Sequence, residues 1–400
     1  MGAISALGAD ARSLWAGASA GACGIGPIAN IATERLTIRI AGEIRGFDPA
    51  AHFDTRQLAM LDRTAQLALV AAREAMREAG LSEPDRLAAR LPDRARGGVV
   101  LGAAIGLGTF DATYKALYGD DASRVHPFTV PRGMPNAATS HLSMAFGLRG
   151  PSFSAASACA SSNHAIGQAF QMVRSGMLDF ALAGGTDASI TLGFMKGWEA
   201  LRVLSPDGCR PFSADRNGLV IGEGAAILVL ERWDQAQARG AAILGEIAGF
   251  GMSADAGDIT APSAEGAAAA MRAALDDARL AREQIGAINA HGTGTRLNDR
   301  IETQALRQVF GAGLDRIPVS ASKSMLGHCM TAGAALEAVL TVLALRHRLL
   351  PPTVGFTGAD PDCDLDCIPR VARPAVAEAA LSNAFAFGGL NAVLAFRAVA

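Results

Sequence analysis

Cys159 stands in a setting that can make a nucleophile, because Ser157-Ala158-Cys159-Ala160-Ser161-Ser162 joins an extended apolar stretch to an Ala-rich helical one. A thiol at such a junction lies near unpaired backbone N–H groups and the positive end of a helix dipole, which favours thiolate without a dedicated base. A buried structural cysteine would fit the same position. Three further segments shift the balance. Asn289-Ala290-His291-Gly292-Thr293-Gly294-Thr295 sets His291 directly after an expected strand, among glycines that let backbone approach a ligand. Ser320-Ala321-Ser322-Lys323-Ser324-Met325-Leu326-Gly327-His328 carries Lys323 and His328 in one loop ahead of a helix. Asn383-Ala384-Phe385-Ala386-Phe387-Gly388-Gly389-Leu390-Asn391 reads as a glycine-containing turn bearing Phe385 and Phe387 before the last strand. Turn chemistry, capping and core packing would each explain one of these alone. All four groups, Cys159, His291, Lys323 and His328, fall at strand ends beside small-residue turns, where α/β sheets assemble ligand sites. A nucleophilic thiol gathered with two imidazoles and an ammonium at a ligand site is the chemistry this set offers.

The elements that must position these groups alternate. Gln57 to Ala79 repeats apolar residues at spacings of three and four, predicting one helix that Gly80 ends. Buried strands are expected at 98–102, 152–156, 180–183, 225–230, 287–290, 318–321 and 392–396, which makes an α/β sheet protein. Helices are expected from about Asn163 to Ser175 and up to about Leu345. A polar stretch from Glu231 to Gly240 divides two regions that each contain strand, tight turn and helix. We therefore expect halves at 1–240, with the nucleophile, and 241–400, with both histidines, and their likeness suggests an old duplication.

Composition narrows the function classes. A chain of 400 residues, half of them apolar and 18% charged, buries a large core, and a net charge of -2 gives no general pull toward nucleic acid or an anionic membrane. Apolar runs such as Ala334 to Leu345 are too short to span a bilayer, and no basic segment followed by an apolar one marks export, so a cytoplasmic location is expected. Six scattered cysteines argue for reduced thiols. Cys363 and Cys367 lie among Asp362, Asp364 and Asp366 with no second pair or histidine to complete a metal site, and read as a polar surface loop. Lysine is scarce, only Lys115, Lys196 and Lys323, so Lys323 invites explanation: an ammonium donates in three directions, which a planar guanidinium does not. His52, His126, His141 and His347 are taken as structural, and His164, five residues past Cys159, as pointing into helix packing.

At these residues the chain strongly resembles the β-ketoacyl-[acyl-carrier-protein] synthases, above all the type II elongation enzymes, over essentially its whole length. Ser157 to Ser162 resembles that family's nucleophile turn, His291 to Thr295 its first histidine motif, Lys323 with Gly327-His328 its second, and Phe385 to Gly389 its gating loop. The resemblance implies a thiolase-like five-layered αβαβα fold of two similar halves, built as a homodimer. It implies that Cys159 takes an acyl chain from a phosphopantetheine thioester on an acyl carrier protein, with the backbone N–H groups of Cys159 and Phe387 as oxyanion hole. His291 and His328 then support decarboxylation of a malonyl thioester and hold the enolate. Lys323 sets the electrostatics, Glu337 supports it, and Thr293 and Thr295 contact the pantetheine arm. No redox or metal cofactor is needed; a structural cation near Asn289, Glu337, Ser382 and Asn383 is compatible with the pattern.

Departures from the pattern bear on acyl-chain and carrier preference: Arg296 stands for a usual proline, Ala386 and Leu390 for a glycine and a threonine, and Asn163 is uncommon after the nucleophile turn. Met1 falls where relatives have completed most of a first strand, so a shortened first strand is expected. A specialised ketosynthase making a polyketide, polyene or nodulation-factor acyl chain is the second reading. A non-catalytic chain-length partner would lack the nucleophile, and a thiolase would carry a second cysteine near the C-terminal Gly-rich segment, where this chain has none.

Overall fold

Strands rich in small and β-branched residues and buried on both faces need helices on both sides of the sheet. The computed structural model describes residues 1–399. Its first sheet comprises β1 (Gly2–Ser5), β2 (Gly97–Ala103), β3 (Ser152–Ala155), β4 (Phe180–Asp187) and β5 (Gly224–Glu231), in the order β1-β5-β4-β2-β3. The second comprises β6 (Glu246–Ala254), β7 (Ile285–Asn289), β8 (Val319–Ser320), β9 (Ala379–Ala386) and β10 (Leu390–Arg397), in the order β8-β7-β9-β10-β6. Counted within each sheet, both follow one topology: the second strand runs parallel to the third and fourth, and the fifth antiparallel to the fourth and first. The molecule is a duplicated α/β unit.

Of the helices, α1 (Arg63–Glu78), α2 (Ser161–Arg174), α4 (Ala264–Ala278), α5 (Arg296–Phe310) and α6 (Met330–His347) build the layers, and α3 (Leu192–Ala200) packs in a separate cluster with Leu204, Leu219 and Ile221. Leu67, Ala68 and Ala72 of α1 share an outer core with Leu101, Leu182 and Ile227 of the first sheet. Met271 of α4 and Leu306 of α5 do the same for Ile288 and Leu381 of the second. Between the sheets, Ile166 of α2 and Leu336 and Val339 of α6 pack with Val100, Ala183, Ala384 and Leu394. The result is the expected α-β-α-β-α stack. A helix sandwiched by two sheets must be apolar all round, and α6 is buried at every position from Met330 to Val342, with Glu337 its one charged residue there.

Four local expectations are corrected. The periodic stretch from Gln57 to Ala79 is two helices, Thr55–Met60 and α1, because the Asp62 carboxylate caps the second by accepting from Thr64 N (3.0 Å). Ser152 to Ala155 forms an edge strand, partly open to solvent. Asn383 to Ala386 closes β9, so the turn is only Phe387-Gly388-Gly389. Cys363 and Cys367 are buried, both in the outer core of the second half, since Cys367 pairs by a backbone bridge with Val319. Strands β1, β6 and most of β9 carried too few β-branched residues to be read from sequence. On its β1 side, β5 is paired only at Gly224–Ile227; Leu228 to Glu231 instead line, with Met1 and Phe396, a cavity of about 510 Å³.

Candidate active site

Small residues crowd the link from β3 to α2, and the chain there turns through Ala158 in the left-handed region (φ 46°), a conformation costing about 1–2 kcal/mol for a residue with a Cβ. The turn is held by Ser161, whose Oγ accepts from Ser157 N (2.9 Å) and donates to Ala158 O (2.6 Å). Cys159 follows, 9% exposed, at the head of α2. Asn163 on the same helix donates to the Ser382 (3.0 Å) and Ala392 (3.1 Å) carbonyls, tying the nucleophile's helix to the second sheet. His164 is engaged in local packing: its Nδ1 lies 2.8 Å from Ser157 Oγ and its ring meets Phe250 edge-on.

The second half brings its histidines to the same point. Ligand atoms of Cys159, His291 and His328 lie within 4.8 Å of one another, and the two imidazoles stand nearly perpendicular with centroids 5.5 Å apart. His291 leaves β7 through a turn in which Gly292 has φ 41° and approaches Ala321 so closely that a Cβ would sit 2.7 Å from its methyl group. Glu302, on α5, holds that turn by accepting from His291 N and Gly292 N (2.8 Å each). His328 is anchored from the first half: its N–H donates to Val220 O (2.6 Å) and its carbonyl accepts from Gly222 N (2.9 Å). Phe385 is not in the turn. It is a buried strand residue whose ring meets the His291 ring at 6.0 Å.

Lys323 and Glu337 form an ion pair of 2.6 Å, each side chain 2% exposed. Three hydrogens of an ammonium meet three acceptors here: Glu337 Oε1 (2.6 Å), His291 O (2.6 Å) and His291 Nδ1 (3.3 Å). His291 Nδ1 therefore accepts, and its proton sits on Nε2. His328 repeats the arrangement by another route, since its Nδ1 accepts from Met330 N (3.1 Å), leaving Nε2 protonated, buried and without a partner. Burial, then the Lys323 charge, push both imidazoles well below the usual histidine range, so both are neutral. Two neutral Nε2–H groups aimed at one space are donors to an anion. They are poorly suited to a metal, which would need both Nε2 atoms bare and both Nδ1 atoms carrying hydrogen.

Burial pushes the Cys159 thiol up to about 11, against the opposing pull of Lys323 and of the Phe387 and Cys159 backbone N–H groups. The thiolate expected from the helix head is thus a correction: desolvation outweighs the dipole, and the resting group is a thiol. Carboxamidomethylation of Cys159 should accordingly accelerate about tenfold per pH unit between about pH 7 and 9, with no plateau. Mass spectrometry of the peptide carrying Cys159 checks this, and a plateau near neutrality would contradict it.

Of the other expected residues, Thr293 is buried and Thr295 part-buried, their hydroxyls 2.9 Å apart. Phe387 is 38% exposed, with its N–H bearing on the thiol. Asn289 Oδ1, Ser382 Oγ, Asn383 Oδ1 and Glu337 Oε2 are buried without a hydrogen-bond partner, and Asn289 and Ser382 are register partners on adjacent strands. Glu302 and the Met330 N–H were missed from sequence. A carboxylate bonding backbone eleven residues away leaves no spacing signature, and a backbone donor leaves none at all.

Known proteins resemble this chain over its whole length. The family model for the β-ketoacyl synthase N-terminal domain matches residues 1–236, and that for the C-terminal domain residues 244–357. Nodulation protein E of Rhizobium sp. (strain N33) is 48% identical over 100% of this chain and 98% of its own. A 3-oxoacyl-[acyl-carrier-protein] synthase 2 of Staphylococcus aureus (strain N315) is 40% identical over 99% and 96%. Among solved structures, the ishigamide ketosynthase/chain length factor superposes with a TM-score of 0.93 at 36% identity, covering 100% of this chain and 98% of that one. A type II polyketide synthase acyl-carrier protein in complex with its ketosynthase gives 0.90 at 28%, with the same coverage.

Proposed function

This chain belongs to the β-ketoacyl synthase family, and from that premise we propose how its own residues perform the decarboxylative condensation of an acyl group with malonyl-[acyl-carrier-protein]. It is an acyltransferase of the 3-oxoacyl-[acyl-carrier-protein] synthase type. The observation that carries the assignment of residues is the meeting of one buried thiol with two neutral Nε2–H imidazoles within 4.8 Å.

In the first half-reaction, Cys159 Sγ forms a bond to the acyl carbonyl carbon of a phosphopantetheine thioester. The oxyanion rests on the N–H groups of Cys159 and Phe387. The C–S bond to the carrier breaks, and the proton that Cys159 loses as it attacks ends on the departing pantetheine sulfur, so the half-reaction is balanced in protons. In the second, a malonyl thioester enters along Thr293 and Thr295. Its carboxylate leaves as carbon dioxide, and the electron pair moves into an enolate whose oxygen accepts from His291 and His328 Nε2. The enolate carbon attacks the acyl carbonyl, the bond to Sγ breaks, and the thiolate takes up a proton. Lys323, with Glu337 behind it, keeps His291 in the donor tautomer. The halves 1–240 and 241–400 then supply nucleophile and enolate donors respectively. A non-catalytic chain-length partner has no use for this trio.

An acyl carrier protein is the partner, supported by the carrier complex of the similar ketosynthase. Among the described residues no helix is long and apolar enough to cross a membrane, and we place the enzyme in the cytoplasm with its carriers. A homodimer is supported by the open edge of β3 and by Tyr118, Val130 and Met144, exposed in the segment preceding it. The unpartnered oxygens of Asn289, Ser382 and Glu337, which share the α6 side of the sheet, suit a structural cation, with Glu337 supplying the charge; Asn383, next on its strand, turns its amide to Met271 and Glu302 on the other side. Condensation in fatty acid biosynthesis, the main reading, is supported by the 40% identity to a 3-oxoacyl-[acyl-carrier-protein] synthase 2, and a specialised acyl chain, the second reading, by the 48% identity to a nodulation protein E.

Native mass spectrometry after exposure to a mixture of acyl-carrier thioesters tests these points together. Acyl mass should appear on Cys159, on a particle of twice 41.0 kDa, with the mass of a bound cation. Acyl mass elsewhere, or none, would remove the proposed role of Cys159. Equal loading of ordinary saturated primers would count against specialisation.

A further inference from the structure

The turn between β9 and β10 has a single side chain, that of Phe387, because Gly388 and Gly389 follow with φ 84° and 68°. Residues with a Cβ are strained there, so the two glycines are what allow the chain to turn. Yet the Phe387 N–H bears on the Cys159 thiol, so its position matters to the reaction. The turn is fastened on one side by Gly388 N donating to Ile259 O (2.8 Å). On the other, the Phe387 ring lies against the indole of Trp198, centroids 5.7 Å apart and planes within 21°.

Trp198 is carried by a rigid element of the opposite half. Helix α3 is capped by Thr191, whose Oγ1 accepts from Phe194 N (3.4 Å), and its Met195 is buried with Leu204, Leu219, Ile221 and Met330. Phe194, one turn back, meets the indole edge-on at 6.0 Å. Met330 in that cluster supplies the N–H that sets the His328 tautomer. The indole is therefore a platform from the first half on which the Phe387 ring from the second half rests.

We propose that Trp198 is a positioning and specificity residue: by stacking on Phe387 it holds that residue's N–H toward Cys159, and the stack must part for a long acyl chain to reach the sulfur. A short chain needs no such parting. The inference rests on acylation of Cys159 as proposed above. An offset aromatic pair is worth about a threefold to tenfold factor in an equilibrium, which sets the size of the effect.

Two measurements test this. In Trp198→Ala, loading of decanoyl from a carrier-protein thioester should rise about threefold to tenfold relative to acetyl. Acetyl loading itself should fall, since the Phe387 donor to the acyl oxyanion is no longer held. Trp198→Phe, which keeps a ring, should restore the wild-type ratio of both. A merely structural role would lower all rates together, and that result, or an unchanged decanoyl-to-acetyl ratio, overturns the proposal. The second measurement keeps position 198 native. With Trp15 and Trp233 replaced by phenylalanine, indole emission should shift when decanoyl, but not acetyl, occupies Cys159. If decanoyl is found on Cys159 and emission does not change, the Trp198 role is wrong while the acyl-enzyme stands. If neither chain loads, the acyl-enzyme reading itself has failed.

Discussion

Cys159→Ala abolishes formation of the acyl-enzyme and lowers condensation by at least about 10⁴-fold, because no other group in the site can carry the acyl chain. Cys329 is buried, with its thiol pushed well up by burial, and its sulfur lies within bonding distance of the Glu223, Leu326 and Gly327 carbonyls. Removing a sulfur leaves the donor tautomers untouched, since His291 is set by Lys323 and His328 by Met330 N–H. Conversion of malonyl-carrier to acetyl-carrier should therefore survive in this variant, read by the mass of the carrier. An acyl adduct still formed on the Cys159→Ala protein would take the nucleophile's role away from Cys159. Loss of decarboxylation along with acylation would mean that the imidazoles do not act apart from the thiol.

His328→Ala separates the half-reactions from the other side. Its Nε2–H has no partner in the resting protein and is buried, so it is an oriented donor held ready for charge that appears only later. Losing one such donor costs about 10²–10³-fold in the step that forms the enolate. Acyl transfer to Cys159 uses the backbone N–H groups instead, and should change no more than a few-fold. Intact-protein mass spectrometry then finds the acylated form accumulating in the presence of malonyl-carrier. Normal condensation by this variant would refute the assignment. Accumulation also distinguishes His328 from Lys323, whose replacement leaves Glu337 buried without its cation and should cost about 3–5 kcal/mol of stability.

The two variants probe residues that were legible in different ways. Cys159, His291, Lys323 and His328 stand out because each needs small or glycine neighbours, and those neighbours are contiguous in the chain. Glu302, Asn163 and Trp198 do not, because their partners come from backbone or from the other half. The gate is shorter than its sequence suggests: the run Asn383 to Ala386 looks like turn until β10 is beside it. Cys363 and Cys367 were misread for a related reason, since flanking aspartates suggest solvent while the two thiols face inward.

The order of residues along the chain determined which side chains could react, that they lie at strand ends, and that one α/β unit occurs twice. These follow from local chemistry: glycine tolerance, helix periodicity and the scarcity of lysine are properties of short segments. Only the tertiary structure decided the protonation of the thiol, the tautomers of both imidazoles and the footing of Phe387. The state of the thiol depends on burial, the tautomers on donors that meet each imidazole through space, and the footing of Phe387 on an indole from the other half, and none of these is written in the spacing of a single chain.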